Sequence, residues 1–415
     1  MLATLIPLFD ENTAVRAYSV FAQKKNFLLN PSLLGTGSLD GAGTILGLEV
    51  VDSLGAGTLS DNQEVFVELS KISMFSPIEE NCEMPHEKVV LLFDHSVPAE
   101  SMYIKRLQQL KFMNYKLAIR NLAIEQFAEY APVLQLLDYI MLDYKKINMV
   151  AAMNFFTKVY PGLQLIAVNV DSLEDFEELS KGKAYSLYEG DFYRLPVTKG
   201  STKVAPLKVN YIELLKIVNN PDFELTKAAD IIGRDTALVI ELLRMVNHMA
   251  VNSEITSIRH AAAMLGQKEL KKWINAVVSH ELCADKPNEI TRLSLLRAKF
   301  AENLAPTFEM AALSSELFLM GLFSVLDIIL DKPMKEALAM VNVSKEITDA
   351  LIDKKGDMAK VLDFMQNYEI ASWSELSRLM IVYNIKETPV YDAYTDALAW
   401  YRDLFGIKED SKAGK

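Results

Sequence analysis

The spacing of apolar residues changes once along this chain, near Pro196, and the change separates two kinds of structure. Before Pro196, short apolar runs alternate with amphipathic stretches, a pattern typical of buried parallel strands joined by helices. After it, apolar residues recur at helical spacing almost throughout. The 415 residues exceed what one ordinary core accommodates. We therefore predict an α/β domain followed by an all-α domain.

The first domain, residues 1–196, contains the strands and helices expected of a (β/α)8-type barrel. Amphipathic segments at 102–112 and 124–137 lie between some of the strands, as the crossover between two parallel strands requires. The predicted strands are 65–67, 89–93, 116–119, 139–142 and 165–168.

The second domain is predicted to be helical from residue 207 to residue 407. Residues 197–206 contain Thr, Lys, Gly, Ser and Pro and are predicted to form a linker. The charged residues 408–415 are predicted to be a frayed tail. Gly266 and Pro333 mark helix boundaries. The candidate helices are 211–218, 226–232, 236–248, 258–265, 269–282, 290–304, 314–330 and 335–341.

The net charge of −12 would repel a polyanion such as DNA, so nucleic-acid binding is not expected. Lys268, Lys271 and Lys272 form a small basic turn, but Glu269 dilutes it. We interpret that turn as a solvated helix face.

The cysteines and the longest apolar run indicate a cytoplasmic protein. Cys82 and Cys283 belong to no cluster with metal-ligand spacing. We interpret them as free thiols, buried or without a functional role, in a reducing compartment. The run 317–330 is interrupted by Asp327 and is shorter than the roughly 20 residues that a membrane-spanning helix needs. No export signal is predicted in residues 1–9.

Residues 5–196 resemble the EAL family of cyclic di-GMP phosphodiesterases. The resemblance is carried by residues 6–10, which look like the first strand of that family, by 17–23, and by the closing motif 188–192 before Leu195 and Pro196. It implies a barrel fold. In the family, the barrel holds two divalent cations and hydrolyses a cyclic dinucleotide.

The residues that serve this chemistry in the family are replaced in this chain. The replacements are Ser19 for the glutamate of the family's naming tripeptide, Gln23 for a phosphate-contacting arginine, Glu68 for an asparagine, Leu92 for a glutamate, Arg120 and Asn121 for paired aspartates, Met141 for a lysine, Val168 for a glutamate and Glu189 for a glutamine.

These replacements are incompatible with two-metal hydrolysis, which needs clustered carboxylates and a metal-activated water. The guanidinium of Arg120 would repel a divalent ion roughly 4 Å away by about 8 kcal/mol at an effective dielectric near 20. We therefore predict neither hydrolysis nor tight binding of cyclic di-GMP. The remaining carboxylates are predicted to face solvent or to pair with Arg120, with a fortuitous cation site as the alternative; they are Glu68, Asp143, Asp171 and Glu189.

Residues 207–400 resemble an HDOD domain, a relative of the HD metallophosphohydrolases that lacks their metal ligands. The resemblance is carried by 235–238, 242–247, 255–258 and 264–266. Phe323 and Ser324 stand where an HD enzyme has a His-Asp pair. Tyr368, Glu369 and Trp373 resemble the end of EAL–HDOD proteins.

The histidines of this half lack the carboxylate partners of an HD-type metal centre. His248 and His260 are interpreted as helix-end or surface residues, and His280 likewise is assigned no ligand role. Arg244 and Asn247 lie on one helix face and are predicted to form a local hydrogen-bond set at a helix end.

The resemblance therefore implies a non-enzymatic bacterial signal-transduction protein that acts through protein–protein contacts. No catalytic residue, metal or cofactor is predicted. The expected partner is an unidentified signalling protein, with a homodimer as an alternative; no membrane and no cyclic di-GMP is expected. The competing hypothesis is a cyclic di-GMP receptor or a residual phosphodiesterase, in which Arg120 and Arg194 contact phosphate and Tyr188 stacks on a base.

Overall fold

Contacts divide the chain into two compact units, and the first of them is built from two separate segments. The barrel unit comprises Met1–Leu195 and Phe364–Lys415, and the helical unit comprises Pro196–Asp363. The computed structural model describes residues 1–23, 45–54, 63–80, 82, 84–194, 206–220, 222–233, 235–249, 255, 257–284 and 286–405. The predicted linker, up to residue 205, and the predicted tail 408–415 lie outside these ranges.

The described strands of the barrel unit close into one barrel, with neighbours in chain order from β1 to β8. Strands β2 to β8 run parallel, whereas β1 is antiparallel to both of its neighbours. The predicted barrel is thereby confirmed. The strands are β1 Leu2–Phe9, β2 Val15–Gln23, β3 Glu64–Glu68, β4 Val89–Asp94, β5 Lys116–Arg120, β6 Tyr139–Asp143, β7 Gln164–Val168 and β8 Leu187–Tyr188.

The helices of the first segment lie mainly in the connections between these strands. The predicted amphipathic segment 124–137 contains a 3-10 turn at Ile124–Gln126 and a separate short helix. Pro132 lies in the first turn of that short helix, where its missing N–H and fixed φ are tolerated. The helices are α1 Leu46–Leu54, α2 Ser101–Phe112, α3 Ala131–Leu134, α4 Met149–Val159 and α5 Leu173–Lys181.

The interior of the barrel is a buried apolar cluster contributed by alternate residues of successive strands. Side chains two residues apart on a strand point to the same face, so each strand sends its inward side chains to the cluster in turn. The cluster contains Leu8, Ala17, Phe66, Val90, Leu92, Ala118, Tyr139, Met141, Ile166 and Leu187, with Val168 packed against it.

The helical unit confirms the predicted all-α half. Gly266, predicted as a helix boundary, has φ 75° and ψ 169° and breaks an otherwise continuous helix into the two predicted pieces. The predicted helix 314–330 is likewise two helices, because Val325 leaves helical geometry. The helices are α6 Pro206–Val218, α7 Leu225–Ile232, α8 Thr236–Met249, α9 Ile258–Leu282, α10 Asn288–Leu304, α11 Ser314–Phe323, α12 Leu326–Leu330, α13 Met334–Ala339 and α14 Lys345–Thr348. No helix in the described ranges is both long and apolar enough to cross a membrane.

Helices α10 and α11 approach each other closely at Gly321. A Cβ atom on Gly321 would lie 2.3 Å from the carbonyl oxygen of Arg297, so only glycine fits there. The approach is reinforced by Ser294, whose hydroxyl donates to the Leu322 carbonyl at 2.7 Å, and by Arg297, which donates to the Ser324 hydroxyl at 3.1 Å.

The second segment of the barrel unit follows the helical unit and returns to strand β1. It contains the end of α15 Asp357–Glu369, then α16 Trp373–Val382 and α17 Glu387–Phe405. Strand β8 pairs with β1 only at Phe9. Near the other end of β1, the Tyr368 hydroxyl donates to the Ala3 carbonyl at 2.7 Å and accepts from the Ala3 amide at 3.1 Å. These contacts place residues 364–405 in the barrel unit, whereas the sequence assigned 207–407 to one helical domain.

Candidate functional site

The candidate site lies at the end of the barrel where the parallel strands finish. Glu68, Arg120 and Asp143 each end a strand, and each stands two residues after a member of the interior cluster. Glu189 follows β8 with the same spacing from Leu187. Because inward-facing residues alternate along a strand, these four charged residues form the inner rim of the barrel.

Arg120 is held at this rim by a carboxylate and a ring. Its Nη1 donates to Oε1 of Glu68 at 3.2 Å, and its guanidinium lies 5.1 Å from the centre of the Phe21 ring. The predicted pairing of a rim carboxylate with Arg120 is therefore confirmed for Glu68. A positive charge occupies the rim position that carries paired aspartates in the family that the sequence resembles.

Glu189 is positioned by a tight connection between β7 and the end of β8. Its amide donates to the Ala167 carbonyl at 2.8 Å, and its carbonyl accepts from the Val170 amide at 3.1 Å. Gly190 follows with φ 155°, and a Cβ there would lie 2.1 Å from the Val170 carbonyl oxygen. Only glycine permits this approach, which directs Glu189 inward.

The carboxyl group of Glu189 is electrostatically unusual. Its Oε2 atom is buried and accepts no hydrogen bond from any residue that the structure describes. Burial raises the pKa of Glu189, and the nearby guanidinium of Arg120 opposes that rise only in part.

Asp143 and Asp171 are paired with neighbouring side chains. Asp143 accepts from the Asn169 amide at 3.0 Å and lies 3.1 Å from Nζ of Lys146, while Asp171 accepts from Lys145. Burial raises the pKa of Asp143, but its hydrogen bonds outweigh that effect and leave the pKa below its ordinary value. Asn169 adopts a φ of 61°, a conformation that asparagine tolerates better than most residues.

The apolar replacements lie inside the barrel. Leu92 and Met141 belong to the interior cluster and Val168 packs against it, so three positions where the family has polar side chains contribute apolar surface here. Ser19 is buried as well, and its hydroxyl makes no hydrogen bond within the described residues. Among those residues, no three or more His, Cys, Asp or Glu side chains form a group able to hold a metal ion.

The second chain segment completes the mouth of the barrel. Nη1 of Arg194 lies 3.7 Å from Oε2 of Glu369, and its Nε lies 3.5 Å from Asp191 and donates to the Tyr193 hydroxyl at 2.7 Å. Trp373 begins the next helix beside them. Glu369 and Trp373 were noted in the sequence only for a family resemblance, and no local pattern indicated that they line this mouth.

The rim and the second segment enclose a cavity of about 570 Å³. The lining residues are Ile6, Pro7, Val20, Phe21, Ala22, Gln23, Leu46, Gly47, Glu68, Arg120, Asn169, Asp171, Glu189, Gly190, Asp191, Tyr193, Arg194, Glu369, Ile370, Ala371 and Trp373.

In the helical unit, the position of the HD-type pair holds a buried Phe323 and a partly buried Ser324. Phe323 is fully buried, and the hydroxyl of Ser324 donates to the Gly321 carbonyl at 2.7 Å. Asn247 forms the predicted local hydrogen bonds, with the amide and carbonyl of Ile255 at 2.6 and 3.0 Å.

The predicted surface location is confirmed for His260, which is exposed. His280 lies 3.4 Å from the Glu281 carboxylate. The side chain of His248 lies outside the described residues.

Comparison with known proteins finds one family match and two relatives of similar length. Residues 204–353 match the model of the HDOD domain family. The chain is 24% identical over 331 residues to the cyclic di-GMP phosphodiesterase CdgJ of Vibrio cholerae, covering 77% of this chain and 75% of that protein. It is also 24% identical over 411 residues to the protein YuxH of Bacillus subtilis, covering 97% of this chain and 98% of that protein.

Solved structures of EAL proteins also resemble part of the chain. An EAL domain protein from Listeria monocytogenes has 14% identity and a TM-score of 0.36, covering 46% of this chain and 86% of that one. A standalone EAL protein from Vibrio cholerae with bound c-di-GMP has 14% identity and a TM-score of 0.36, covering 46% and 90%. The chain therefore combines a closed barrel with a region, residues 204–353, that matches the HDOD domain family.

Proposed function

We propose that this EAL–HDOD protein is a non-enzymatic signalling protein of the bacterial cytoplasm that acts through protein–protein contacts. The observation that carries the proposal is the ion pair of Arg120 with Glu68 on the inner rim. Two-metal phosphodiester hydrolysis needs clustered carboxylates at the place where this guanidinium lies. The interior positions Leu92 and Met141 supply no oxygen ligand for such ions.

The charge of the described cavity lining also disfavours a cyclic dinucleotide. Among the described residues that line the cavity, five are acidic and two are arginines, so an anion with two phosphates meets more carboxylates than guanidinium groups there. Each arginine already has a carboxylate within 3.7 Å. Binding phosphate would require one of these carboxylates to move or to remain beside the ligand.

The competing function is a cyclic di-GMP receptor or a residual phosphodiesterase, which the name of the relative CdgJ favours. In that case Tyr188 was predicted to stack on a base. Its side chain is instead fully buried and contacts the ring of Phe176, with ring centres 5.0 Å apart. Tyr188 therefore has no exposed ring face on which a base of cyclic di-GMP could stack.

The deciding experiment is a cyclic di-GMP hydrolysis assay in magnesium or manganese, with an active EAL phosphodiesterase as positive control. We expect no turnover by this protein and no binding of the dinucleotide at micromolar concentration in calorimetry. We also expect EDTA to leave Tm unchanged, because a metal that binds only the native state raises its stability. Turnover that EDTA abolishes would contradict the proposal.

Partner contacts are tested with the full-length protein as bait in its host. Two variants are then compared, one with substitutions on the surface of the barrel unit and one with substitutions on the surface of the helical unit. Loss of capture in one variant identifies the unit that the captured protein binds. Sedimentation analysis of the purified chain tests the homodimer alternative. If no protein is captured and the monomeric chain hydrolyses cyclic di-GMP, the protein is an enzyme and the proposed non-enzymatic role is wrong.

A further inference from the structure

One end of the barrel-mouth cavity is formed by two short chain segments that meet at Arg194. The two segments are joined by the contact between Nη1 of Arg194 and Oε2 of Glu369, which lie 3.7 Å apart. The other residues at this end neighbour these two in the chain. We call this set the Arg194 end of the cavity; its members are Gly190, Asp191, Tyr193, Arg194, Glu369, Ile370, Ala371 and Trp373.

The guanidinium of Arg194 has donors that no described residue uses. Its Nε donates to the Tyr193 hydroxyl at 2.7 Å. The carboxylate oxygens of Asp191 and Glu369 lie 3.5 and 3.7 Å away, beyond the roughly 2.7–2.9 Å of a charge-assisted hydrogen bond. Within the described residues, Nη1 and Nη2 donate no hydrogen bond. This edge of the guanidinium is therefore available to a carboxylate that enters the cavity.

Asp191 places an exposed carboxylate beside this guanidinium. Its side chain is 55% exposed, lines the cavity and accepts no hydrogen bond from a described residue. Its Oδ1 atom lies 3.5 Å from Nε of Arg194. A positive group and a negative group, both with unused hydrogen-bonding capacity, therefore lie side by side at the Arg194 end.

This arrangement of charges disfavours ligands that carry only one charge. A lone anion on Arg194 would lie beside the carboxylates of Asp191 and Glu369, and a lone ammonium group on Asp191 would lie beside the guanidinium. Like charges at such distances repel each other. A ligand with an ammonium group and a carboxylate on the same carbon meets each protein group with the opposite charge. The α-amino acids have this arrangement.

The apolar groups at the Arg194 end suit an aliphatic side chain. Ile370 follows Glu369 directly and is 49% exposed although it lines the cavity. Ala371 and Trp373 line the cavity next to it. Contact with a ligand side chain would remove apolar surface of both molecules from water. The cavity volume of about 570 Å³ lies within the roughly 300–1,000 Å³ of small-molecule sites, and it accommodates an amino acid.

We propose that the Arg194 end of the cavity binds a free α-amino acid with an aliphatic side chain. The carboxylate of the ligand accepts from Nη1 and Nη2 of Arg194, its ammonium group donates to Asp191, and its side chain packs against Ile370. The proposal goes beyond the signalling role and gives the barrel unit a small-molecule input.

The test is isothermal titration calorimetry of the full-length protein with L-leucine, L-isoleucine, L-valine and glycine in separate titrations. We expect at least one of the three aliphatic amino acids to bind with one site per chain. Glycine should bind it about tenfold or more weakly, because it buries no side chain. Two analogues of the tightest ligand follow, the acid without its amino group and the amine without its carboxylate; for leucine these are isocaproate and isoamylamine. Each should bind about tenfold or more weakly than the amino acid, as the loss of a charged hydrogen bond predicts.

Asp191→Asn separates recognition of the ammonium group from a general change of the cavity. The variant should bind the amino acid about tenfold or more weakly, whereas its affinity for the acid without an amino group should be unchanged or higher. A merely structural effect would weaken both ligands. The matched control is Asp357→Asn, the same change in an exposed ion pair with Lys360 outside the cavity lining, and it should alter neither affinity.

Arg194→Lys tests the carboxylate contact. Lysine keeps the positive charge but lacks the planar fork that holds a carboxylate by two hydrogen bonds, so the amino acid should again bind about tenfold or more weakly. A melting curve of each variant shows whether it is folded. If Arg194→Lys is not folded, the two ligand analogues and Asp191→Asn still decide the assignment.

The amino-acid site is refuted if none of the three aliphatic amino acids binds, or if either analogue binds as tightly as the amino acid. It is also refuted if Asp191→Asn binds the amino acid as tightly as the wild type does. These outcomes leave the signalling role unaffected, because the hydrolysis assay decides that role independently.

Discussion

The carboxyl group of Glu189, with its Oε2 atom buried, is the electrostatically unusual group of the barrel mouth. Glu189 reaches its position because Gly190 allows the chain to pass Val170 closely. Its carboxyl group is desolvated there, and Arg120 offsets that desolvation only in part. A carboxyl group in this environment retains its proton at a higher pH than it would in water.

The pH dependence of stability tests this assignment. Because the pKa of Glu189 in the folded state is above its ordinary value of 4.5, the folded state retains a proton that the unfolded state releases. Stability therefore falls as pH rises from below 4.5 through the folded-state pKa, and then levels off. Glu189→Gln removes this pH-dependent loss of stability. The Tm of the variant minus the Tm of the wild type should therefore increase as pH rises from below 4.5 through the folded-state pKa.

The matched control for this series is Glu375→Gln. The hydrogen bond from Arg378 lowers the pKa of Glu375, so the sign is opposite, and the Tm difference should become slightly negative or stay flat as pH rises. Scanning calorimetry of the three proteins over a pH series gives the comparison. A Glu189→Gln difference that is independent of pH would show that this carboxyl group is not perturbed.

At the level of elements, a close helix contact in the helical unit depends on one glycine. Gly321 lets α11 approach the backbone of α10 to a distance at which a Cβ would meet the Arg297 carbonyl and the Ala298 amide, at 2.3 and 2.7 Å. These are backbone atoms of a helix, so they cannot move aside as a flexible side chain would. Even one added methyl group must separate the two helices.

Gly321→Ala is expected to destabilise the helical unit by about 1–3 kcal/mol, the range for overpacking a core. The better helix propensity of alanine stabilises the helix by about 1 kcal/mol. We expect the clash with the α10 backbone to cost more than this gain. Urea unfolding followed by circular dichroism measures the change. Gly162→Ala is the control, because no described heavy atom lies within 4 Å of its added Cβ. Equal midpoints for the two variants would contradict the close approach.

Across the whole molecule, the chain leaves the barrel unit, forms the helical unit and returns. The returning segment buries Tyr368, Val390 and Leu398 and supplies Glu369 to the barrel mouth. The barrel unit is therefore completed by residues far from its strands in sequence, and its stability should depend on them.

Truncation tests this dependence. A chain that ends at residue 363 lacks the returning segment, and we expect its barrel to unfold at a lower temperature, because strand β1 loses the hydrogen bonds of Tyr368. A chain that ends at residue 405 retains that segment and should melt like the full-length protein. Barrel transitions at one temperature in both truncations would show that the segment adds no stability.

Local periodicity predicted most of the elements. The resemblance to the EAL family, not periodicity, indicated that Glu68 and Arg120 stand at neighbouring rim positions, and the structure shows them paired. The division of the amphipathic segment 124–137 into a 3-10 turn and a short helix that begins at Ala131 was not predicted. Glu369 and Trp373 were not predicted at the barrel mouth, since periodicity contains no information about contacts between distant segments.

The bond between Tyr368 and Ala3 joins residues 365 positions apart. A ribosome that adds about 5–20 residues per second needs roughly 20–70 s to cover that distance. Throughout that interval the nascent strand β1 lacks the hydroxyl that satisfies its Ala3 amide and carbonyl. The final hydrogen bonds of Ala3 therefore form only after synthesis has passed residue 368.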